Sequence, residues 1–582
     1  MSDRGYWSQT RRRLTRRSLL AAAAGTAGAA VAVACGNRQN GTSQGSSQSS
    51  GASPSTSANQ TPKPGGQFNT SQITTPPTLD QQRSTSGNIG NIVGAVQSRL
   101  LAFKTGADPK VTQNHEVEPD LALTIESPDA TTWTLKLRTD AKFHNVAPVN
   151  GHPVTSEDVK ATFTRALGKD NPGRGALDMM DETQIQTPSP DTVIFKLKYP
   201  FAQFKGKLGS VAYSSIFPRE VLAGGYDSAK TPIGSGPFML DSNQPDVAYI
   251  LKKNPEYYQK GRPYVDSIRW AIIPDTGQQQ AQFTGGHLDV AGMVESAPIT
   301  PSDISTWKKD NPKALVVRSD PSSPQVLYFQ LGDPASAFQD IRMRRAFSMA
   351  IDREAIKQAV WNNDTEPQFH VTLTQGKWAL HQDELPPDTA QWYKYDPANA
   401  KKLLEASGFA DRAFKLLYIV PFQGAEYVKV SLAVANMLSQ AGIKIQPVQV
   451  DYNKDYFGTN GVGIRFGVYD KDSVVCTGIS ALDNVDDFLW NYYSTKATQG
   501  ISRLKDPAID DMISKARTLV DDTAAVKAYK DVQIYIADKM YTVAGLPEPY
   551  AYIMVNQRVQ NYQFSVNHGY GTETFSKLWL NG

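Results

Sequence analysis

TWTLKLRTDAKFHN at residues 132–145 and PVTSEDVKATFTRAL at 153–167 set a strand and a helix one after the other. In the first, Trp133, Leu135 and Leu137 alternate with polar neighbours, the period of a strand with one buried face. In the second, Thr155-Ser156-Glu157-Asp158 is a capping-box variant that starts a helix running through Leu167. The same interleaving continues outward. Strands are predicted at 192–198 (TVIFKLK), 267–273 (SIRWAII), 325–331 (QVLYFQL) and 443–450 (IKIQPVQV). Asp396-Pro397 and Asp506-Pro507 each place a cap and a first-turn proline ahead of a helix, and Gly408 stops the first of these. Longer helical patterns cover 341–360, 425–441 and 523–540. Strands mixed with helices from end to end make this an α/β protein.

Composition narrows the class. The chain has 582 residues, 40% apolar and 20% charged, enough to bury large cores. A mean hydropathy of −0.41 and the lack of a long apolar span exclude a polytopic membrane protein. The net charge of +3 is uneven: residues 1–34 hold six Arg against one Asp, which leaves the remainder slightly acidic. Such a body has no electrostatic footprint for nucleic acid.

The N-terminus reads as an address. Thr15-Arg16-Arg17-Ser18-Leu19-Leu20 resembles a twin-arginine export signal, and Ala32-Val33-Ala34-Cys35-Gly36 resembles a bacterial lipobox in which Cys35 is lipidated. Residues 1–34 are thus expected to be a signal peptide. Residues 35–65 follow as a disordered tether, because 26 of the thirty residues 36–65 are Gly, Ser, Thr, Asn, Gln or Pro. Its reach is about 30 Å. The protein is expected to be exported and anchored to the outer face of the cytoplasmic membrane. Cys35 and Cys476 are the two cysteines, so lipidation leaves Cys476 without a disulfide partner, an apolar filler rather than a reactive thiol.

Beyond the opening segments, the order of several more is distinctive. Pro119-Asp120-Leu121-Ala122 precedes the quoted strand; GSGPF (234–238), LKKNPEYYQKGRPYVDSIRW (251–270) and Gly286-His287-Leu288-Asp289-Val290 come after it. IRMRRAFSMAIDREAI (341–356) and YDPANAKKLLEASGF (395–409) complete the set. This collinear series resembles the extracellular solute-binding proteins of the peptide/nickel class, receptors of ABC importers. The resemblance implies a two-lobed, periplasmic-binding-protein-like (class II) fold. Its first lobe would be residues 66–320 with an additional subdomain at about 100–230, its second lobe 321–540, and 541–582 would return to the first. It further implies a monomer that closes over a small solute or oligopeptide and docks on a membrane permease, with no cofactor and no enzymatic activity. Most of the signature has a scaffold reading: Asp158 and Asp396 as caps, Gly234 and Gly236 as turn or close-packing positions, and Arg345, Asp352 and Arg353 as a charge network.

Peptide-binding relatives of this class often carry Gly-Trp-x-x-Asp just ahead of Asp-Pro-Asp-Asn-Phe, and there an aspartate pairs with the peptide's α-ammonium. Here Asp483 and Asp486-Asp487-Phe488 match the second part, whereas Cys476 stands about where the Trp belongs and Ile479 or Ser480 where the amine-pairing acid would be. The candidate ligand-binding residues are Tyr328, Trp378, Asp483, Asn484, Asp486 and Trp490, with Trp392 and Tyr492 as further aromatic walls. A cap for the helix starting near Asp486 is an equal reading of the acid run. His144 and His152 lack the companions of a metal site, and a loop beside a strand is the better account.

Two other functions fit parts of the chain. A secreted lipid-anchored hydrolase would need a nucleophile–base pair or paired carboxylates, and the body from residue 66 has neither Gly-x-Ser-x-Gly nor His-Glu-x-x-His. The same fold could bind a sugar, opine or metal chelate for sensing.

Overall fold

The computed structural model describes residues 61–582 except 85, 109–110, 112–114, 170, 222, 294–298, 421–424, 459–462, 479–481, 498–499 and 566–570. The export signal, Cys35, most of the tether, Ile479 and Ser480 lie outside the described residues. Among those described, no helix is long and apolar enough to cross a membrane.

The fold is α/β and two-lobed. Near the chain ends, a four-stranded sheet runs Gln67–Gln72, Ser267–Ile272, Ala248–Lys253, Phe238–Gln244, its first pair parallel and the rest antiparallel. A three-stranded sheet sets Ala551–Val555 between Val290–Ala291 and Leu315–Ser319. The opening strand, Thr132–Leu137, lies in a separate antiparallel sheet with Ala122–Glu126, Thr192–Lys196 and Ile185–Ser189. Trp133, Leu135 and Leu137 face a core of their own with Val159 and Phe163 of the helix Ser156–Ala166. The middle of the chain builds a five-stranded mixed sheet, Lys444–Asp451, Ala413–Val420, Ser473–Gly478, Gln325–Phe329, Thr542–Val543. A single core spans this part from Val326 to Leu546. Leu546–Pro549 pairs with Thr365–Gln368, and two residues later Ala551–Val555 has joined the three-stranded sheet.

Several motifs turn out to hold one another. Tyr258 of the NPEYY segment donates to Asp120, which also accepts the Arg99 amide at 3.1 Å. Asn254 of that segment donates to the Gly236 carbonyl at 2.9 Å. Gly234 and Gly236 pack edge-on against residues 96–97: a Cβ on Gly234 would lie 2.2 Å from the Val96 carbonyl oxygen. Close approach, not positive φ, requires glycine there. Asp289 takes the Asn69 amide at 2.8 Å and the Arg558 guanidinium, tying the first strand to the returning chain.

Two expectations are corrected. The pattern over 341–360 is two helices, Ile341–Met349 and Arg353–Trp361, because Asp352 caps the second by accepting the Ala355 amide at 2.9 Å. Nor do Arg345, Asp352 and Arg353 form a charge network. Arg345 lies 4.1 Å from the Trp392 ring centroid. Arg353, half-buried, has its guanidinium among carbonyls, donating to those of Gly545, Ser348 and Tyr393 at 3.1 Å each, and desolvation pulls its pKa down to about 10.

Candidate functional site

The acid run lies at the N-terminus of the helix Val485–Tyr493, where two carboxylates in the first turn suit the helix dipole. Its cap is Asn484, whose side-chain oxygen accepts the Asp487 amide at 3.0 Å while its amide donates to the Asp487 carboxylate at 2.8 Å. Asp483, Asn484, Asp486, Asp487 and Trp490 are all buried.

Each acid meets a partner contributed from elsewhere in the chain. Asp486 is gripped bidentately by Arg517, Nε to Oδ1 at 2.7 Å and Nη2 to Oδ2 at 2.8 Å, and accepts the Tyr529 hydroxyl at 3.2 Å. The same guanidinium lies 3.8 Å from the Trp490 ring centroid and donates through Nη1 to Asp178 and to the Tyr199 hydroxyl, both at 3.0 Å. Asp487 receives the ammonium of Lys207, a fully buried lysine on the short helix Phe204–Gly209. Asp483 receives the Ser210 hydroxyl. His115 closes the same flank, its Nε2 lying 3.3 Å from the Thr374 carbonyl oxygen. Residues 115–210 thus reach residues 374–517 through a buried, charge-assisted seam.

The electrostatics follow. Burial raises the Asp486 carboxyl, but Arg517 outweighs it and holds the group below the usual carboxylate range. For Asp487 burial wins, helped by the neighbouring acids, and the pKa is pushed up to about 6 despite Lys207. The chemistry on offer is charge-assisted binding.

Trp378 joins this group indirectly: its ring meets that of Tyr529 edge-on at 5.8 Å, and Tyr529 bonds Asp486. Tyr328 is set apart, fully buried on the strand Gln325–Phe329, fourth in the five-stranded sheet, opposite Val475 and Thr542. Cys476 is buried on the adjacent strand, its thiol pushed up to about 12 by burial. Sequence reasoning missed Lys207, Ser210 and Arg517. Arg517 had a signal, since it falls at i+4 from Ile513 and i+8 from Ile509, on the buried stripe of its helix. Lys207 likewise sits three residues after buried Phe204.

His144 is buried against the Gly236 carbonyl, 3.1 Å from Nε2, and burial pulls its pKa down to about 4. His152, Asp158 and Glu220 bring ligand atoms within 4.8 Å of one another. Asp158, however, is occupied by the Thr155 amide at 2.9 Å, the Thr155 hydroxyl at 2.8 Å and the Arg219 amide at 3.1 Å, as a cap should be.

Comparison with known proteins adds the following. Residues 116–500 match the family model of bacterial extracellular solute-binding proteins, family 5 middle region. A Brucella ovis relative described as an ABC transporter peptide-binding protein is 31% identical over 359 residues, covering 60% of this chain and 63% of that protein. The chain therefore aligns with under two thirds of that relative's length. Among solved structures, the periplasmic binding protein DppA of Helicobacter pylori in complex with a peptide superposes with TM-score 0.74 at 21% identity, covering 89% of this chain and 99% of that one. The binding protein AgaA of A. tumefaciens in complex with agropinic acid gives TM-score 0.72 at 22% identity over 89% of this chain and 99% of that one.

Proposed function

Because the chain belongs to family 5 of the bacterial extracellular solute-binding proteins, we propose that it captures a solute, foremost an oligopeptide, between two closing lobes and delivers it to an ABC importer. The lobes are residues 66–320, carrying the subdomain at about 100–230, and 321–540, with 541–582 returning. The observation that carries this reading is the seam of Asp178, Tyr199, Lys207 and Ser210 against Asp483, Asp486, Asp487 and Arg517. Such contacts exist only when the two stretches are together, so they weight the closed state, and a solute that adds contacts there shifts the population further.

The solute lies against Trp490, Trp378 and the Asp483–Asn484–Asp486 turn. An incoming ammonium must compete with Arg517 for Asp486 and with Lys207 for Asp487, which favours a ligand read through its backbone and apolar groups over one anchored by its amine. AgaA, which shares this fold, is in complex with agropinic acid, so a non-peptide solute is the second reading. The chain acts by binding without turnover, as a monomer held to the membrane by lipid on Cys35.

Mass spectrometry of small molecules released by denaturing freshly purified protein lacking residues 1–35 tests this. Heterogeneous short peptides are the expected result; a single non-peptide species would replace the peptide reading, and consumption of a released molecule with time would overturn pure binding. Cys35→Ser should move the protein from the membrane to the soluble fraction, and unchanged membrane retention would refute the anchor.

A further inference from the structure

A cavity of about 140 Å³ opens where the chain passes between its two parts, lined by residues 321–323 of the first passage and 548–551 of the second. Its walls include the rings of Trp361, Tyr427 and Tyr550 and the carboxyls of Glu426 and Glu548. Trp361 and Tyr427 meet edge to face at 5.3 Å. Glu548 is 1% exposed; it accepts the Gln325 amide at 2.5 Å and the Tyr427 hydroxyl at 3.2 Å. No Lys, Arg or His among the described residues pairs with it. The nearby cations are engaged elsewhere: Lys429, mostly exposed, approaches Glu426 at 3.7 Å, and Arg318 lies over the Tyr550 ring while bound to Asp364 at 2.9 Å. Tyr550 donates to a further carboxyl, Glu366, at 3.1 Å.

An ionised carboxylate buried without a cation is costly, and burial accordingly lifts Glu548 well above the usual carboxylate range. Aromatic faces around a carboxyl are the setting that attracts an organic cation. The space compares with the engineered apolar void of about 150 Å³ that takes up benzene. We propose that this cavity is a binding site for a small organic ammonium ion, its charge on Glu548 and its alkyl groups against Trp361 and Tyr427. On binding, the Glu548 carboxyl gives its proton to solvent and the carboxylate pairs with the ligand. Glu426, Lys429, Tyr427, Tyr550, Glu366, Arg318 and the Cys476 thiol face the same region. The affinity therefore rises with pH while Glu548 stays protonated in the empty cavity.

Calorimetry on the purified full chain tests this, with choline as the probe and its neutral carbon isostere 3,3-dimethylbutan-1-ol as the control. Choline should bind saturably at one site, at least about tenfold more tightly than the isostere, and tighten by up to about tenfold per pH unit with release of one proton. Glu548→Gln should weaken choline by at least about tenfold and abolish the proton release. Absence of choline binding, equal binding by the isostere, or unchanged affinity in Glu548→Gln would each overturn the assignment. Should that variant not fold, Glu426→Gln at the partly exposed wall serves instead: several-fold weaker choline binding is expected, and no change refutes the site.

Discussion

Arg517 is the residue on which the seam depends most, and Arg517→Met tests it at nearly constant volume. The guanidinium is almost fully buried, and removing it leaves Asp486, 1% exposed, as a carboxylate without its bidentate partner. Breaking a buried pair from one side costs about 3–5 kcal/mol. Loss of the contact with Trp490, 3.8 Å from the guanidinium, adds about 0.5–2 kcal/mol. Asp178, partly exposed, contributes at most about 1 kcal/mol. A loss of about 4–8 kcal/mol at pH 7 is therefore expected in urea unfolding followed by tryptophan fluorescence. Arg517 depresses the pKa of Asp486, so its stabilisation is complete above the unfolded carboxylate value of about 3.9 and disappears as pH falls through the folded one. The gap between wild type and variant should accordingly narrow towards pH 4 as Asp486 takes up a proton in the variant. Asp486→Leu combined with Arg517→Met should regain most of the loss, because no lone charge remains. A gap under about 1 kcal/mol at pH 7, or one that is independent of pH, would refute the reasoning.

Other expectations follow from single contacts. Gly234→Ala drives a methyl to 2.2 Å from the Val96 carbonyl oxygen, and should cost about 1–3 kcal/mol or more, read as a lower urea midpoint with an unchanged slope. His144 is buried and neutral with a pKa of about 4, so the unfolded chain binds the extra proton between pH 6.5 and 4 and stability falls across that window. About 3 kcal/mol is at stake, and His144→Gln should remove that part of the acid sensitivity. The Cys476 thiol, pushed up to about 12, should resist alkylation at pH 8 in the folded protein and react on addition of urea.

Local patterns carried most of the architecture. The Asp-Pro caps at 396 and 506 and the capping box at 155 each satisfy nearby backbone amides, so they fold as read, and the alternation at 132–138 holds because one face of its strand is buried. The break at Asp352 was also local, yet an unbroken apolar spacing through 341–360 concealed it. The candidate site was half legible: the turn Asp483–Asp487 and Trp490 stand out by composition, and Asn484 takes the cap two to three residues ahead of the first-turn acids.

The set of elements was legible along the chain, because caps, alternation and turn residues act over a few positions. The pairing of charges, by contrast, came from the assembled fold. Lys207 and Arg517 fall on the buried stripes of their helices, but nothing along the chain names their partners, and they become buried partners of Asp487 and Asp486 because folding brings segments 280 and 31 positions apart into a place without water. Burial turns a weak surface attraction into one that an unpartnered acid cannot forgo, and burial is a property of the assembled fold rather than of any stretch of sequence.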